Sequence, residues 1–411
     1  MNERTALHSQ LLLRWSAIAL GASIPVSTAL DNVLLVVTTA AFVFSGQLPA
    51  TKRRLLENKS LLLPLLLFAA LAMGTLYGDS PLRSAWAHLW KYADLLFIPV
   101  FALAFQRPEM RQYALWAFAG VLGVTLILSY LLHFALLPKM PFMAHDGVSP
   151  TIFKLKITHN FLMAFGAFVF LWLARTAADG RLRIVCYLFA GLAAINVLLM
   201  VQGATGYVIL AALGVLWICE RIGMRTTGIA ALVMLGVSIT LMLVPNTLQR
   251  RAIQVQQEIQ LWRSGNPAAQ DTSTGQRLEY YSNTLAIIKE HSFIGIGTGG
   301  FPTAYARQVK GTGKQETQNP HNEFLNITAQ VGMGGLALLI AMFWLQWHSA
   351  SRLETPMKRS LMRALVLTMV SGCLFNSLLL DHAEGLFYAW MSGLLYGGLK
   401  YAPPDKPPAP A

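Results

Sequence analysis

The sequence predicts an all-α polytopic membrane protein with about twelve transmembrane helices and one large, mainly helical outer loop. Three observations lead to this fold class. Only 12% of the 411 residues are charged and 55% are hydrophobic, whereas soluble domains carry roughly 25% charged residues. Apolar runs of about 20 residues, the length that crosses the hydrocarbon, recur along the chain. Lys and Arg are distributed very unequally between alternate short loops.

The predicted spans share their length and apolar composition. They lie near 11–29, 31–47, 60–77, 86–105, 112–137, 156–175, 183–201, 204–219, 227–245, 321–346, 360–379 and 385–400. The first run is not expected to be a cleaved signal peptide, because its basic start is weak and another span follows almost at once. The sequence is thus divided into spans 1–245, a large loop 246–320, spans 321–400 and a Pro-rich tail 401–411.

The basic residues predict the orientation of these spans. Eighteen Lys and Arg residues fall in loops on one side, against four in the short loops on the other. This bias places the basic side in the cytoplasm, so both termini are predicted there and 246–320 on the outer side, which in a bacterium is the periplasm. Topology explains much of the formal net charge of +13, so the charge does not indicate a nucleic-acid partner.

The large loop contains two predicted helices. An apolar stripe from Leu248 to Trp262 indicates a helix that either lies on the membrane interface or packs on its own loop. The sequence Ser264-Gly265-Asn266-Pro267 ends it. A second helix over 275–290 would place Arg277 in its first turn, where the helix dipole disfavours a cation. The guanidinium is therefore either held by a partner or solvated at the surface.

Two short motifs in the second half of the chain match the residue patterns of known motifs but not their structural context. Gly295-Ile296-Gly297-Thr298-Gly299-Gly300 resembles a dinucleotide-binding loop, but it follows a predicted helix and no βαβ unit surrounds it. A tight turn or a flexible backbone near a ligand is the better interpretation. Asn326-Ile327-Thr328 spells a glycosylation sequon inside a predicted span. The sequence also has no DxD pair and no HExxH motif, so neither a metal nor a cofactor is expected.

The large loop ends in Asn319-Pro320-His321-Asn322-Glu323, followed by an apolar run. Asn as N-cap with Pro at the first helical position predicts a helix start, which places His321 in the first turn of the tenth span at the outer surface. The positive end of that helix favours bound anions and a neutral imidazole. Such a histidine fits a general base, and a structural role is the alternative.

Longer motifs resemble a known family. His321-Asn322, nine further residues and Gly332-Met333-Gly334-Gly335 match the H-N-x9-G-x-x-G pattern of the bacterial O-antigen ligase family. The stretch from Gln276-Arg277-Leu278 to Ile294-Gly295-Ile296-Gly297 also resembles that family's arginine helix and Gly-rich turn. The layout of spans with a single large outer loop is similar to the family across the whole chain.

This resemblance implies a GT-C-like, metal-independent glycosyltransferase in the bacterial inner membrane, with its active site on the periplasmic face. Such ligases move O-antigen from undecaprenyl pyrophosphate to a sugar hydroxyl of lipid A–core, so the expected partners are these two substrates and membrane lipids. His321 would be the catalytic base in an inverting attack. Arg277 would be the second catalytic residue and would neutralise the pyrophosphate.

The resemblance and the outer positions of charged residues suggest further substrate-binding residues. These are Lys154, Lys156, Asn322, Gln202, Asp381 and Arg83. The stretch 202–207 is similar to a family segment that commonly has Arg where this chain has Ala204. Either Lys154 and Lys156 supply that charge, or the family segment aligns elsewhere, or the protein is an altered, inactive form. Contact with lipid headgroups is the alternative role of the two lysines. Lys91 and Asp94, three residues apart, form either a functional pair or an internal ion pair.

Three alternative functions are distinguishable in principle. An O-antigen polymerase typically has two substantial outer loops, and a protein O-oligosaccharyltransferase tends to be longer. A polytopic lipid or sugar transporter would show repeated halves or paired broken helices. The sequence favours the ligase and does not indicate an oligomeric state.

Overall fold

The computed structural model describes residues 3–140, 143–144, 149–201, 203–222 and 247–399. Within these ranges the regular structure is helical, apart from an isolated antiparallel bridge between Leu353 and Leu399. The predicted span 227–245, the tail 401–411 and Gln202 lie outside the described residues.

The α-helices follow one another along the chain. They are α1 (Glu3–Ser23), α2 (Thr28–Val43), α3 (Leu48–Glu57), α4 (Lys59–Gly74), α5 (Leu82–Trp90), α6 (Ile98–Ala104), α7 (Pro108–His133), α8 (Lys156–Thr176), α9 (Gly180–Ile195), α10 (Ala204–Ile222), α11 (Thr247–Arg263), α12 (Ser273–Glu290), α13 (Phe301–Val309), α14 (Glu323–Ser349), α15 (Pro356–Cys373) and α16 (His382–Tyr396). Short 3-10 helices lie at Ala93–Phe97, Pro267–Asp271 and Ala350–Arg352, and a π-helical turn at Asn196–Met200 extends α9.

Side-chain caps fix the start of several helices. Ser27, Asn58, Asp179 and Thr355 each accept a hydrogen bond from a backbone N–H in the first turn of α2, α4, α9 and α15, respectively. These bonds satisfy donors that have no partner inside the helix. The apolar runs of the sequence are therefore delimited by short polar residues that begin helices.

Helices occupy every predicted span within the described residues, which confirms an all-α polytopic membrane protein. Five of these helices are long and apolar enough to cross a membrane, or six if the bent pair Leu82–Trp90 and Ala93–Ala104, with an angle of 47°, is one span. Helices α2 and α4 are apolar but only 16 residues long. About twelve spans and a GT-C-like architecture therefore remain predictions.

Side-chain contacts join residues from the same predicted side of the membrane. At one end, Arg111 donates hydrogen bonds to the carbonyls of Phe105, Gln106 and Gly397 and lies 3.5 Å from Glu354. All of these residues are in or next to loops predicted to be cytoplasmic. We call the other end of the bundle the outer end. It contains the contacts made by Thr28, Tyr92, Lys154 and residues 374–382. Within the described residues, these contacts thus join segments that the span assignment places on the same side of the membrane.

Helix α14 is broken within the family-like glycine motif. Val331 and Gly332 leave helical geometry, and Gly332 adopts φ 68° and ψ −167°. The break frees carbonyls, two of which accept bonds from the Gly-rich segment 295–300: Ile296 N–H donates to Ala329 (2.8 Å) and Gly297 N–H to Gln330 (3.0 Å). The two glycine motifs therefore form one joint, and the predicted tight turn is confirmed.

The large loop packs on itself. Glu279 of α12 accepts hydrogen bonds from Trp262 of α11 (3.1 Å) and from Asn283, and it pairs with Lys314 at 2.5 Å. Glu258 of α11 is buried and accepts from the N–H of Thr274. Of the two interpretations of the first loop helix, these contacts support packing against its own loop.

Candidate active site

His321 lies before helix α14, not in its first turn as the sequence predicts. The helix begins at Glu323, and Asn322 is its N-cap, accepting a hydrogen bond from Leu325 N–H at 3.0 Å. Asn319 does not cap the helix because its side-chain oxygen accepts from the N–H of His321 at 2.9 Å. His321 also has φ 52°, outside the helical region. Its imidazole thus flanks the helix N-terminus.

Contacts with the segment after α15 hold this turn in place. Tyr281 of α12 donates to the carbonyls of His321 (3.2 Å) and Leu374 (2.9 Å). The Asn322 amide donates to the same Leu374 carbonyl at 3.0 Å. Both polar groups of the Asn322 side chain are therefore engaged with backbone, which makes Asn322 a positioning residue for His321.

The His321 ring lies against an aromatic side chain near a cation. It stacks on Tyr280, with ring centroids 5.8 Å apart and an interplanar angle of 28°. Burial lowers the pKa of His321, and the positive charge of Arg277 lowers it further. Because the ordinary histidine pKa is about 6.5, this imidazole is neutral at neutral pH and can accept a proton.

Arg277 occupies the same face of α12 as the two tyrosines that contact His321. The helix starts at Ser273, where Thr272 caps it by accepting from Gly275 N–H. Arg277 is therefore in the second turn, not in the first turn as predicted. The helix dipole acts mainly on the first turn, so it disfavours the Arg277 cation less than expected. Positions i, i+3 and i+4 are neighbours on a helix, which puts Arg277 beside Tyr280 and Tyr281. Arg277 is half-buried, and its positive charge acts on both Tyr281 and His321, which favours a residue held near the His321 turn over a solvated surface group.

Glu323 is a buried acidic residue in this site that the sequence reasoning did not single out. One carboxylate oxygen accepts from the Tyr92 hydroxyl at 2.8 Å and the other from Leu379 N–H at 3.1 Å. Asn326, in the apparent glycosylation sequon, donates to the same Tyr92 hydroxyl and is fully buried. The sequence does contain a sign that Glu323 is functional, because this acidic residue directly follows His321-Asn322 at the start of an apolar run.

Asp381 lies at the N-cap position of α16, where its side chain makes no capping bond. Partial burial raises the pKa of Asp381, and the charge of Lys91 opposes this effect. Asp94, in contrast, lies 3.8 Å from His382. Lys91 thus acts on Asp381, and the contacts of the described residues do not support the internal Lys91–Asp94 pair.

Lys154, another predicted binding residue, contacts the first turn of α2. Lys154 donates to Thr28 at 2.8 Å and lies 3.7 Å from the buried Asp31. Burial lowers the pKa of Lys154, and Asp31 counteracts this. Lys156 is the exposed first residue of α8, and Arg83 is exposed in the first turn of α5. Within the described ranges no group of His, Cys, Asp and Glu side chains is arranged to hold a metal ion.

The comparisons with known proteins agree with this geometry. Among curated proteins, none matches the chain. A family model described as O-antigen ligase matches residues 187–340. This region includes the Arg277 face of α12, the His321 turn and the glycine joint of α14, and the family implies a glycosyltransferase-type activity. The motif resemblance is therefore confirmed: residues 187–340 of this chain match the O-antigen ligase family.

Proposed function

We propose that this protein transfers O-antigen polysaccharide from undecaprenyl pyrophosphate to a sugar hydroxyl of lipid A–core. The observation that carries this proposal is the placement of a neutral His321 beside the charge of Arg277. Both residues lie within the region that matches the O-antigen ligase family. The pair supplies the two groups that glycosyl transfer from a pyrophosphate requires, namely a base for the acceptor and a cation for the leaving group.

His321 acts as the general base. The neutral imidazole takes the proton of the acceptor hydroxyl while the hydroxyl oxygen attacks the anomeric carbon of the donor. The bond between that carbon and the pyrophosphate oxygen breaks on the opposite face, so the configuration inverts. Stacking on Tyr280 and the turn made by Asn319 and Asn322 fix the imidazole before the acceptor arrives.

Arg277 stabilises the departing pyrophosphate. A guanidinium can contact two phosphate oxygens at once, and its charge opposes the negative charge that develops as the bond breaks. Undecaprenyl pyrophosphate leaves as a stable anion, so the reaction needs no general acid. Lys154, Lys156, Arg83 and Gln202 are proposed to bind substrate, and the charge of Lys154 is shared with Asp31.

We place the reaction on the periplasmic face of the bacterial inner membrane, with both termini in the cytoplasm. The unequal distribution of Lys and Arg supports this orientation. The residues around His321 lie at the outer end, where two lipid-anchored substrates can approach from the bilayer.

Reconstitution in proteoliposomes tests the proposal. The purified protein is mixed with undecaprenyl-pyrophosphate-linked O-antigen and rough lipopolysaccharide, with no added metal or nucleotide. We expect wild-type protein to form O-antigen joined to lipid A–core and His321→Ala to lose this activity by at least about 100-fold, the usual contribution of a general base. His348→Ala, which changes an exposed histidine at the cytoplasmic end of α14, is the matched control and should remain active.

The products separate the competing functions. A polymerase would lengthen the lipid-linked glycan without using lipopolysaccharide, and a protein O-oligosaccharyltransferase would need a protein acceptor. A transporter would move substrate without forming a glycosidic bond. Ligation that persists in His321→Ala would disprove the base assignment.

A further inference from the structure

A polar cavity opens at the outer end, at a distance from the His321 turn. It has a volume of about 380 Å³, within the range of roughly 300–1,000 Å³ that is usual for small-molecule sites. It lies between the loop after α4, the end of α12, the Gly-rich segment 295–300 and α13. Ile287, which lines it, is ten residues from Arg277 on the same helix, a distance of about 15 Å along the axis.

The lining combines an apolar floor with a polar rim. Ile287, Ile296 and Ala304 form the floor, while Glu290 and Gln308 contribute polar side chains at the rim. A sugar ring has the complementary surface, because its C–H faces are apolar and its edge carries hydroxyl donors and acceptors. The Tyr77 ring is fixed at the cavity by a 2.6 Å hydrogen bond from its hydroxyl to the Ile294 carbonyl.

The charges of the rim favour an uncharged ligand. Asp79 and Arg307 lie 2.6 Å apart and largely neutralise each other. Glu290 adds a second carboxylate. His291 also lines the cavity, and among the fully charged side chains Asp79 and Glu290 outnumber Arg307, so phosphate or carboxylate groups on a ligand would meet more negative than positive charge here. The cavity therefore suits a neutral saccharide and is unsuited to the pyrophosphate that we assign to Arg277.

An exposed apolar surface adjoins the cavity. Leu76 is 82% exposed and Phe293 is 88% exposed. Leu76 precedes the lining residue Tyr77, and Phe293 lies between the lining residues His291 and Gly295. Such side chains are suited to the membrane surface. A saccharide in the cavity would then be attached to a lipid whose apolar part lies beside Leu76 and Phe293.

We propose that this cavity is a saccharide subsite that binds a neutral glycan segment of a membrane-anchored substrate. The inference rests on the proposed glycosyl transfer, in which the bound glycan bridges the cavity and the His321 turn. The cavity takes no part in bond making. It increases affinity for one glycolipid substrate and sets the position of that substrate's reactive end.

Binding measurements on a catalytically inactive protein test the subsite separately from the reaction. Purified His321→Ala protein in detergent is titrated by calorimetry with rough lipopolysaccharide and, separately, with undecaprenyl-pyrophosphate-linked O-antigen. Ala304→Tyr, which fills the floor, should weaken binding of one of these probes about tenfold, or about 1.4 kcal/mol. Weaker binding of lipopolysaccharide assigns the subsite to the acceptor, and weaker binding of the lipid-linked glycan assigns it to the donor.

Two further variants control this experiment. Thr303→Tyr adds the same side chain at the exposed neighbouring position of α13, which does not line the cavity, and should leave both affinities unchanged. Gln308→Ala removes an exposed rim group without filling the cavity, so it keeps the test valid if Ala304→Tyr does not fold, and should weaken the same probe about threefold. Unchanged affinity for both probes in the folded cavity variants would overturn the proposal. If the wild type fails to ligate but these variants still lose binding, the subsite stands and the proposed reaction falls.

Discussion

His321 owes its chemical state to two effects that act in the same direction. Burial removes water that would solvate the imidazolium, and the Arg277 cation repels it. A base must be unprotonated, so the reaction rate falls as the pH drops through the histidine pKa. A lowered pKa therefore extends activity toward lower pH and increases the fraction of the protein with a neutral His321 at neutral pH.

Replacing Arg277 with Gln should raise the pKa of His321. The substitution removes the cation and keeps the burial, so the pKa moves upward while staying below its ordinary value. Arg277→Lys keeps the positive charge and should shift the pKa less. The measurement is the pH dependence of diethylpyrocarbonate modification at His321, quantified by peptide mass spectrometry, which does not require enzymatic activity.

Lys289→Gln provides the matched control for this electrostatic effect. Lys289 is exposed in the last turn of the same helix, α12, so its removal changes the net charge equally. The pH midpoint of His321 modification in Lys289→Gln should equal that of the wild type. An equal shift in both variants would mean that overall charge, rather than Arg277, sets the pKa of His321.

Glu323 is expected to stabilise the site through its two hydrogen bonds. Glu323→Ala leaves the Tyr92 hydroxyl and the Leu379 N–H without their acceptor. A buried polar group without a partner costs about 1–3 kcal/mol, so the free energy of unfolding should fall by at least that amount. Glu323→Gln retains one acceptor oxygen and should lose less.

Thermal unfolding in detergent measures this loss, with Glu316→Ala as the control. Glu316 is an exposed acidic residue in the same loop, and its removal should leave the unfolding temperature nearly unchanged. Glu323→Ala protein as stable as the wild type would show that the carboxylate contacts contribute little.

At the scale of helices, the broken α14 explains why the family pattern contains a glycine ten residues after Asn322. The chain at Gly332 has φ 68° and ψ −167°, a region that is essentially restricted to glycine. A Cβ at this position would also lie 2.0 Å from the Phe293 carbonyl oxygen. The motif thus indicates a close backbone approach that joins the large loop to the spanning helix and keeps α12 beside the His321 turn.

Gly332→Ala should destabilise this joint. Strain in such a backbone region costs about 1–3 kcal/mol, and the contact with Phe293 adds to it, so the unfolding temperature and ligation activity should both decrease. Gly334→Ala is the matched control because a Cβ there meets nothing within 4 Å. Equal behaviour of the two variants would show that the joint tolerates a side chain and has little structural importance.

The limits of sequence reasoning are clearest at the helix ends. The apolar runs predict where helices lie, because burial and lipid contact both require the apolar residues that the sequence displays. They do not determine which Asn caps α14, since Asn319 and Asn322 are both suited to capping. Tertiary contacts decide: Asn319 bonds to the His321 N–H, and Tyr281 and Asn322 bind the Leu374 carbonyl, 52 residues beyond Asn322.

At the scale of the whole molecule, the active-site candidates gather from distant parts of the chain. The motif residues His321 and Arg277 could be predicted because the family pattern names them. The contacts of Glu323 could not be predicted, since its partners Tyr92 and Leu379 lie in two distant segments of the chain. Lys154 illustrates the opposite case. Its outer position suggests phosphate binding, yet its charge lies next to Asp31, a pairing that only the assembled bundle reveals.

The two ends of the bundle also differ in the charge that they present to the membrane surfaces. The predicted cytoplasmic loops carry eighteen Lys and Arg residues against four in the short outer loops, and Arg111 shows that some of these cations also bind carbonyls at helix ends. The remaining outer cations lie in the large loop, which also contains Arg277, the residue proposed to bind pyrophosphate. Under this proposal charge serves both topology and substrate binding, and the two roles can be separated by the side of the membrane on which each cation lies.

Cysteine labelling in intact cells should reveal this sidedness. Thr312→Cys lies in the exposed turn after α13, and Ser351→Cys lies exposed at the other end of the bundle. A membrane-impermeant maleimide should label Thr312→Cys from outside, once the outer membrane is permeabilised. Ser351→Cys should react only after the inner membrane is opened, because the basic loops hold its end in the cytoplasm.

The unsubstituted protein measures the background from Cys186, Cys219 and Cys373, of which the first and last are buried. Labelling of Ser351→Cys in cells with an intact inner membrane would invert the topology and move His321 to the cytoplasmic side.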